Sequence, residues 1–271
     1  MKRDMHFHDH RRGPREQVTG GEWIYGRNPV YEALRAGRRE MTEMVLPPPS
    51  KGEDDVIAQL RVTAAARGIV CRSEDRDRLD RLTHFGHHQG VALKASPYPY
   101  VDFADVAAEA AADENALVVV LDHLEDPQNV GSILRTALCA GATGVVIPED
   151  RASGVTPAAV RASAGASEHL RIARVVNIVR AMKELQEAGV WFTGLDWGEG
   201  AKPYTEIDFT GRVGLVVGAE GAGISRLARE TCDFVAELPM PGGFESLNAG
   251  VAAGVALYEI LRQRAKCERK R

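Results

Sequence analysis

Three stretches of this chain pair polar side chains that can do chemistry with glycines that let a ligand come close. In the first, Asp122 to Ala137, a polar loop enters an amphipathic helix. Val130, Ile133, Leu134, Ala137 and Leu138 form its apolar face, and Arg135 points roughly 130° from the centre of that face. Its guanidinium can reach a site, or it is an ordinary surface arginine. Asn129 faces a ligand or serves as an N-cap. In the second, Val213 to Ser225, a strand enters a turn holding Gly218, Gly221 and Gly223, with Glu220 embedded among them. The spacing matches neither common phosphate-binding glycine motif. A carboxylate in that turn repels a pyrophosphate. Glu220 therefore reads as an acceptor for ligand donors, and the glycines as room for backbone to approach a flat ligand. In the third, Leu238 to Val255, a Gly/Pro loop precedes a helix rich in alanine and glycine. Ser246 reads as its N-cap and Asn248 as a first-turn residue facing the loop. Glycine inside a helix costs about 1 kcal/mol relative to alanine. Gly250 and Gly254 thus predict close packing against a neighbouring element or a second subunit; a merely buried helix is the plainer alternative.

Other chemistries find less support. His84, His87 and His88 share a loop but have no acidic or cysteine partner at ligand spacing, so no metal site is expected. Cys71, Cys139, Cys232 and Cys267 are scattered and expected to be reduced thiols of a cytosolic protein. No zinc-protease or serine-hydrolase motif is present. The longest apolar run, Ala116 to Leu121, is too short to cross a bilayer, and the polar start does not read as a secretory signal.

The elements that must position these stretches form two α/β units. Residues 1–21 are polar and basic and read as a disordered tail. Residues 22–96 hold a helix opened by Asn28-Pro29, a strand Met41 to Leu46, a helix Asp54 to Arg67, a strand Ile69 to Arg72, a helix Asp75 to Thr83 and a strand Gly90 to Ala95. Residues 97–115 read as a linker, with Pro97 to Tyr100 its core and a helix over Ala104 to Ala112. Residues 116–264 begin at the buried-type strand Leu117 to Leu121. Strands and helices then alternate to a final helix, Leu247 to Arg264. That alternation implies a mainly parallel sheet covered on both faces. In such sheets ligands bind beyond the carboxyl ends of the strands, where all three stretches lie. Residues 265–271 read as a second basic tail.

The net charge of −4 is uneven. Residues 1–100 hold 17 Lys and Arg against 14 Asp and Glu, and Arg262 to Arg271 holds six cations against Glu268. Basic ends and a basic first third suit a polyanionic partner, although solvated tails would look the same.

Asn129-Val130-Gly131 with Arg135, then Gly218-Ala219-Glu220-Gly221, then Leu238-Pro239-Met240 with Ser246-Leu247-Asn248 resemble, in order and spacing, the three motifs of the SpoU (TrmH-type) RNA ribose methyltransferases. Tyr25 to Val30, His88-Gln89-Gly90-Val91-Ala92 and Ser163 to His169 resemble the subgroup that methylates a guanosine in bacterial 23S rRNA. The resemblance implies a small N-terminal RNA-binding domain and a catalytic domain with a trefoil knot. It implies S-adenosylmethionine as cofactor, an obligate homodimer, and transfer of a methyl group to a ribose 2′-oxygen. Carried over residue by residue, it implies that Gly218, Leu238 and Leu247 meet the cofactor, with Thr193 and Gly194 lining the same pocket. Asn129, Arg135, Glu220, Ser246 and Asn248 would handle the substrate. The chain departs from the usual pattern at Gly243-Phe244 and Ala249-Gly250.

That chemistry needs the 2′-oxygen aligned with the methyl and a proton removed. The family reading makes Arg135 the base, yet a guanidinium is a poor proton acceptor. Stabilising a developing alkoxide, or holding the adjacent phosphate, suits it better. A 2′-hydroxyl marks RNA and excludes DNA. Three rivals remain at this level: the same reaction on tRNA or another rRNA nucleotide, a catalytically silent ribosome-assembly factor, and a dinucleotide-dependent dehydrogenase.

Overall fold

The structure, a computed structural model, describes residues 21–50, 52–243 and 246–268. The tail expected over 1–21 lies almost wholly outside the described residues, as do Phe244 and the last three residues. The first domain is a four-stranded sheet ordered β1-β4-β2-β3. Its strands are β1 (Glu22–Tyr25), β2 (Met41–Leu46), β3 (Val70–Ser73) and β4 (Ala92–Ala95). Its helices are α1 (Arg27–Ala36), α2 (Asp55–Ala66) and α3 (Arg76–Leu82). Asp54 and Asp75 cap the last two by accepting from Val56 N and Arg78 N. The sequence did not announce β1, which pairs antiparallel with β4 from Glu22 to Tyr25.

The second domain holds a seven-stranded sheet in which every pairing is parallel, ordered β7-β6-β5-β10-β8-β11-β9. Its strands are β5 (Leu117–Asp122), β6 (Gly144–Pro148), β7 (Ile172–Val175), β8 (Trp191–Leu195), β9 (Lys202–Pro203), β10 (Val213–Gly218) and β11 (Phe234–Glu237). Each residue of β5, β6 and β10 is buried. That follows from a sheet covered on both faces, which needs apolar side chains on both sides of the pleat. In β5, Leu117, Val119 and Leu121 join the core with α5 (Pro127–Cys139), α6 (Pro157–Ala162) and α9 (Ala249–Glu268). Val118 and Val120 point the other way, towards α4 (Phe103–Ala112), α7 (Ile178–Glu187) and α8 (Arg226–Thr231). Helix α9 runs past the expected end at Arg264, so residues 265–268 are helical rather than tail. Gln263 and Arg264 explain the extension. Gln263 donates to Ile207 O and accepts from Phe209 N, and Arg264 donates to Gly211 O.

The segment read as a linker is a weld. The Tyr98 ring is buried, and its hydroxyl donates to Ser167 O at 2.8 Å. Arg38 donates to Leu170 O at 2.6 Å and to Pro99 O at 3.1 Å. Arg39 reaches Glu168 through two bonds, at 2.9 and 2.6 Å, and also pairs with Glu22. The Arg39 and Glu168 side chains are 0% and 1% exposed. Burial alone would ease the proton off Arg39, but the Glu168 and Glu22 carboxylates outweigh it and hold the guanidinium above its ordinary pKa. Proline and aromatics at 97–100 look like tether composition; here two arginines stack on Tyr98 and turn it into an interface.

Candidate active site

The three stretches meet beyond the carboxyl ends of β5, β8 and β10. Asp126 caps α5 by accepting from Gln128 N, so Asn129 is free of that duty and lies buried in the first turn. Its Nδ2 donates to Glu220 Oε1 at 3.0 Å, and its Oδ1 accepts from Asn248 Nδ2 at 2.8 Å. Asn248 Nδ2 also contacts Glu220 Oε1. Ala249 N donates to the same oxygen at 3.2 Å. One carboxylate oxygen thus ties α5, the β10–α8 turn and the start of α9 together. It also places negative charge at the α9 N-terminus, where the helix dipole favours it. Asn248, rather than Ser246, caps α9: its Oδ1 accepts from Val251 N at 3.1 Å, and the helix starts one residue later.

A mainly apolar pocket adjoins this cluster. Leu195, Val217, Ala236, Leu238, Met240 and Leu247 supply its apolar wall. Gly218, Glu220, Ser246, Asp196 and Trp197 complete the rim. Gly218, Leu238 and Leu247 all line this pocket. Thr193 and Gly194 do not line the pocket: Thr193 is buried in β8, and a Cβ on Gly194 would stand 2.4 Å from Ile224 Cδ1, beneath α8. The pleat carries them inside, and the next residues, Leu195 to Trp197, reach the pocket instead. Trp197 and Asp196 were not foreseen; a tryptophan two residues past a strand end was the available signal. Gly218 permits the turn itself, since a Cβ there would stand 1.9 Å from Gly223 O.

The Arg135 side chain is exposed on α5 and makes no hydrogen bond or ion pair with a described residue. It does not touch the Asn129–Glu220–Asn248 cluster, so its charge is unspent. Behind the site, Asp122 is buried and accepts from Ser225 N at 2.5 Å and pairs with His123. The Cys232 thiol, packed near Gly194, is pushed up to about 12 by burial, helped by Asp233 and Asp122. It stays a neutral core group and no nucleophile. His88, in the first domain, has an acidic partner the spacing did not reveal: Asp80 Oδ1 at 3.1 Å. Among the described residues no three His, Cys, Asp or Glu side chains converge on one point.

Comparison with known proteins meets this geometry at both domains. Residues 116–258 match the SpoU rRNA methylase family, and residues 23–101 match the RNA 2′-O ribose methyltransferase substrate-binding domain. A Bacillus subtilis protein, YacO, named as a TrmH family tRNA/rRNA methyltransferase, is 39% identical over 90% of this chain and 96% of its own length. A Mycolicibacterium vanbaalenii protein named as a tRNA/rRNA methyltransferase is 43% identical over 93% of this chain and 80% of its own. Among solved structures, the SpoU methyltransferase AviRb of Streptomyces viridochromogenes, in complex with AdoMet, superposes with a TM-score of 0.75 at 27% identity. It covers 91% of this chain and 92% of its own. The AdoMet-bound rRNA methyltransferase of Sinorhizobium meliloti gives 0.72 at 26%, covering 89% and 87%. A substrate-binding domain welded to a parallel-sheet methylase domain defines an RNA 2′-O-methyltransferase that uses S-adenosylmethionine. The chain belongs to the SpoU (TrmH) family. The silent assembly factor and the dehydrogenase are thereby set aside. No helix among the described residues is long and apolar enough to cross a membrane.

Proposed function

We propose that this enzyme methylates the ribose 2′-oxygen of a guanosine in 23S rRNA, as a homodimer in the cytoplasm. The observation that carries the reading is Arg135, exposed and unpaired on the helix whose first turn holds Asn129 against Glu220 and Asn248. S-adenosylmethionine, when bound, supplies an activated methyl group. The apolar wall from Leu195 to Leu247 suits its adenine, and Gly218, Leu238 and Leu247 hold it largely through backbone. Arg135 sets positive charge against the alkoxide that develops as the 2′-hydroxyl proton passes to solvent. Glu220 Oε2, without a partner among the described residues, accepts a hydrogen bond from the ribose or base. Asn129 and Asn248 hold that carboxylate in place, and Ser246 bounds the rim.

Two further features belong to this reading. The trefoil knot implied by the resemblance is supported by β10 lying between β5 and β8, both earlier in the chain, before the chain returns to α5 through α9. The dimer is supported by Leu247, Val251, Val255 and Tyr258, exposed apolar residues along one side of α9 and its entry. A second copy would cover them. Val255→Glu is expected to yield monomers by light scattering.

The decisive experiment is transfer of labelled methyl from S-adenosylmethionine to unmodified 23S rRNA and tRNA transcripts in parallel. Label at a guanosine 2′-oxygen of 23S rRNA, lost in Arg135→Ala and in Arg135→Lys with RNA binding intact, is the expected result. Full activity in either variant removes Arg135 from its role. Label in tRNA alone transfers the same mechanism to the second substrate class that the relatives' names carry.

A further inference from the structure

In the first domain one turn is built against its own backbone preference. His84 and Phe85, directly after α3, take φ of +50° and +59°. Residues with a Cβ seldom enter this region, and two in succession persist only where the surroundings hold them. Here the surroundings do. Phe85 N donates to Asp80 O at 2.7 Å and Gly86 N to Thr83 O at 3.0 Å. Gly86 lies so close to the Tyr25 ring that a Cβ would stand 2.6 Å from two ring atoms. The turn presents a bare phenyl ring to solvent: Phe85 is 80% exposed. An aromatic ring held out in water by a strained, firmly bonded turn contributes nothing to the core.

The ring stands beside a groove lined by Arg76, His87, His88 and Gln89, with the Glu74 and Asp80 carboxylates also on its wall. His88 is fixed as scaffolding, since its Nδ1 accepts from Gly90 N at 3.0 Å while Nε2 faces Asp80. Gln89 differs: its Oε1 accepts from Arg27 N at 3.1 Å, which orients the side-chain amide and leaves its NH₂ group without a partner among the described residues. Arg76 is 86% exposed, with a loose 3.8 Å pairing to Asp80. A rigid aromatic face, an oriented amide donor and one exposed guanidinium, Arg76, match an unpaired nucleobase with its phosphate: stacking on the ring, an edge hydrogen bond, and charge beside the backbone. The turn is also joined to the catalytic domain. Arg161 Nε on α6 donates to His87 O at 3.2 Å. Helix α6 crosses α5 at Gly131, one helical turn from Arg135, and a Cβ on Gly131 would stand 2.4 Å from Ala162.

We propose that Phe85 is the stacking platform of a subsite for one unpaired base of the RNA substrate, with Gln89 at the base edge and Arg76 beside the phosphate. The proposal rests on the rRNA reading above and names where that RNA is gripped, away from the methylated nucleotide.

The test uses the full chain with Phe85→Ala, Phe85→Leu and Phe85→Trp. Binding to unmodified 23S rRNA and tRNA transcripts is followed by fluorescence anisotropy over a range of salt. S-adenosylhomocysteine affinity and melting temperature report on the fold and the cofactor pocket. Stacking predicts that Ala and Leu each weaken RNA binding by roughly 10-fold or more while Trp retains it. The slope of log affinity against log salt stays unchanged, because no phosphate contact is lost. Phe85→Leu binding as tightly as wild type overturns the stacking role. So does unaltered RNA binding in Phe85→Ala accompanied by a changed oligomeric state, which makes Phe85 a protein contact. Wild type that binds S-adenosylhomocysteine but neither transcript overturns the rRNA reading itself, and the subsite with it.

Discussion

One carboxylate oxygen of Glu220 holds three donors, and the other holds none among the described residues. The two oxygens therefore do different work, and two substitutions separate them. Glu220→Ala strands the Asn129 and Asn248 amides and Ala249 N, and is expected to lower stability by about 1–3 kcal/mol in urea denaturation. Glu220→Gln keeps an acceptor oxygen for those donors and removes the charge, so the denaturation midpoint should stay near wild type while methyl transfer falls. Cys232 gives a second residue-level expectation. Its pKa is raised from 9.0 to about 12 by burial, so the contribution to stability is complete below pH 9 and is lost as pH rises from 9 to about 12. At pH 8, iodoacetamide should modify exposed Cys139 and Cys267 first and Cys232 last, as peptide mass spectrometry will show. Glu220 stood out because it interrupts a glycine-rich turn, and Asn129 and Asn248 because each lies where a loop enters a helix. The cap of α9 was misassigned to Ser246 because serine and asparagine cap equally well. Only the contact with Glu220 decides between them.

Elements were most legible where burial is total. Strands β5, β6 and β10 read directly from runs of valine, leucine and isoleucine that a doubly covered parallel strand requires. Strand β1 has four residues, one of them fully buried, and β9 has two, so neither carries a pattern. The two helical glycines posed a question that sequence left open, and the structure separates them. Gly250 faces α5 so closely that a Cβ would stand 2.1 Å from Ser132 Oγ; at Gly254 the nearest such atom is Thr136 Cγ2 at 4.0 Å. Gly250→Ala should therefore destabilise by about 1–3 kcal/mol through overpacking. Gly254→Ala should stabilise by about 0.5–1 kcal/mol through helix propensity. Thermal melts of the two variants check the contrast. Glu259 on the same helix is held below its ordinary value, first by hydrogen bonds from Arg262 and then from Gln263. A lowered carboxylate contributes stability above pH 4.5 that disappears as pH falls through its folded value. Glu259→Gln should remove that acid-dependent part of the melting curve.

At the scale of the whole molecule, the decisive feature is the weld of Arg38, Arg39 and Tyr98 onto the segment from Ser167 to Leu170. Arg39 and Glu168 leave water together, and their desolvation is offset only while the bidentate pair survives. Glu168→Ala removes the bidentate partner of a buried guanidinium and leaves it only Glu22 and Ser96 O, which should cost about 3 kcal/mol. Arg39→Met combined with Glu168→Leu should cost far less, because apolar groups of similar size replace a buried pair at little loss. Denaturation midpoints of the single and double variants provide the check. Sequence hid this weld: the ion pair joins residues 129 apart, and its tyrosine sits in what reads as tether.

The weld also bears on how a target is chosen. With the Phe85 subsite and the role of Arg135 as proposed above, two halves so joined would act as a caliper, the Phe85 turn at one jaw and Arg135 at the other. A caliper selects by span. The modified nucleotide would then be whichever one the folded RNA carries at the set distance from its gripped base, and an RNA of the wrong shape would be refused by length before any base at the reacting position is read.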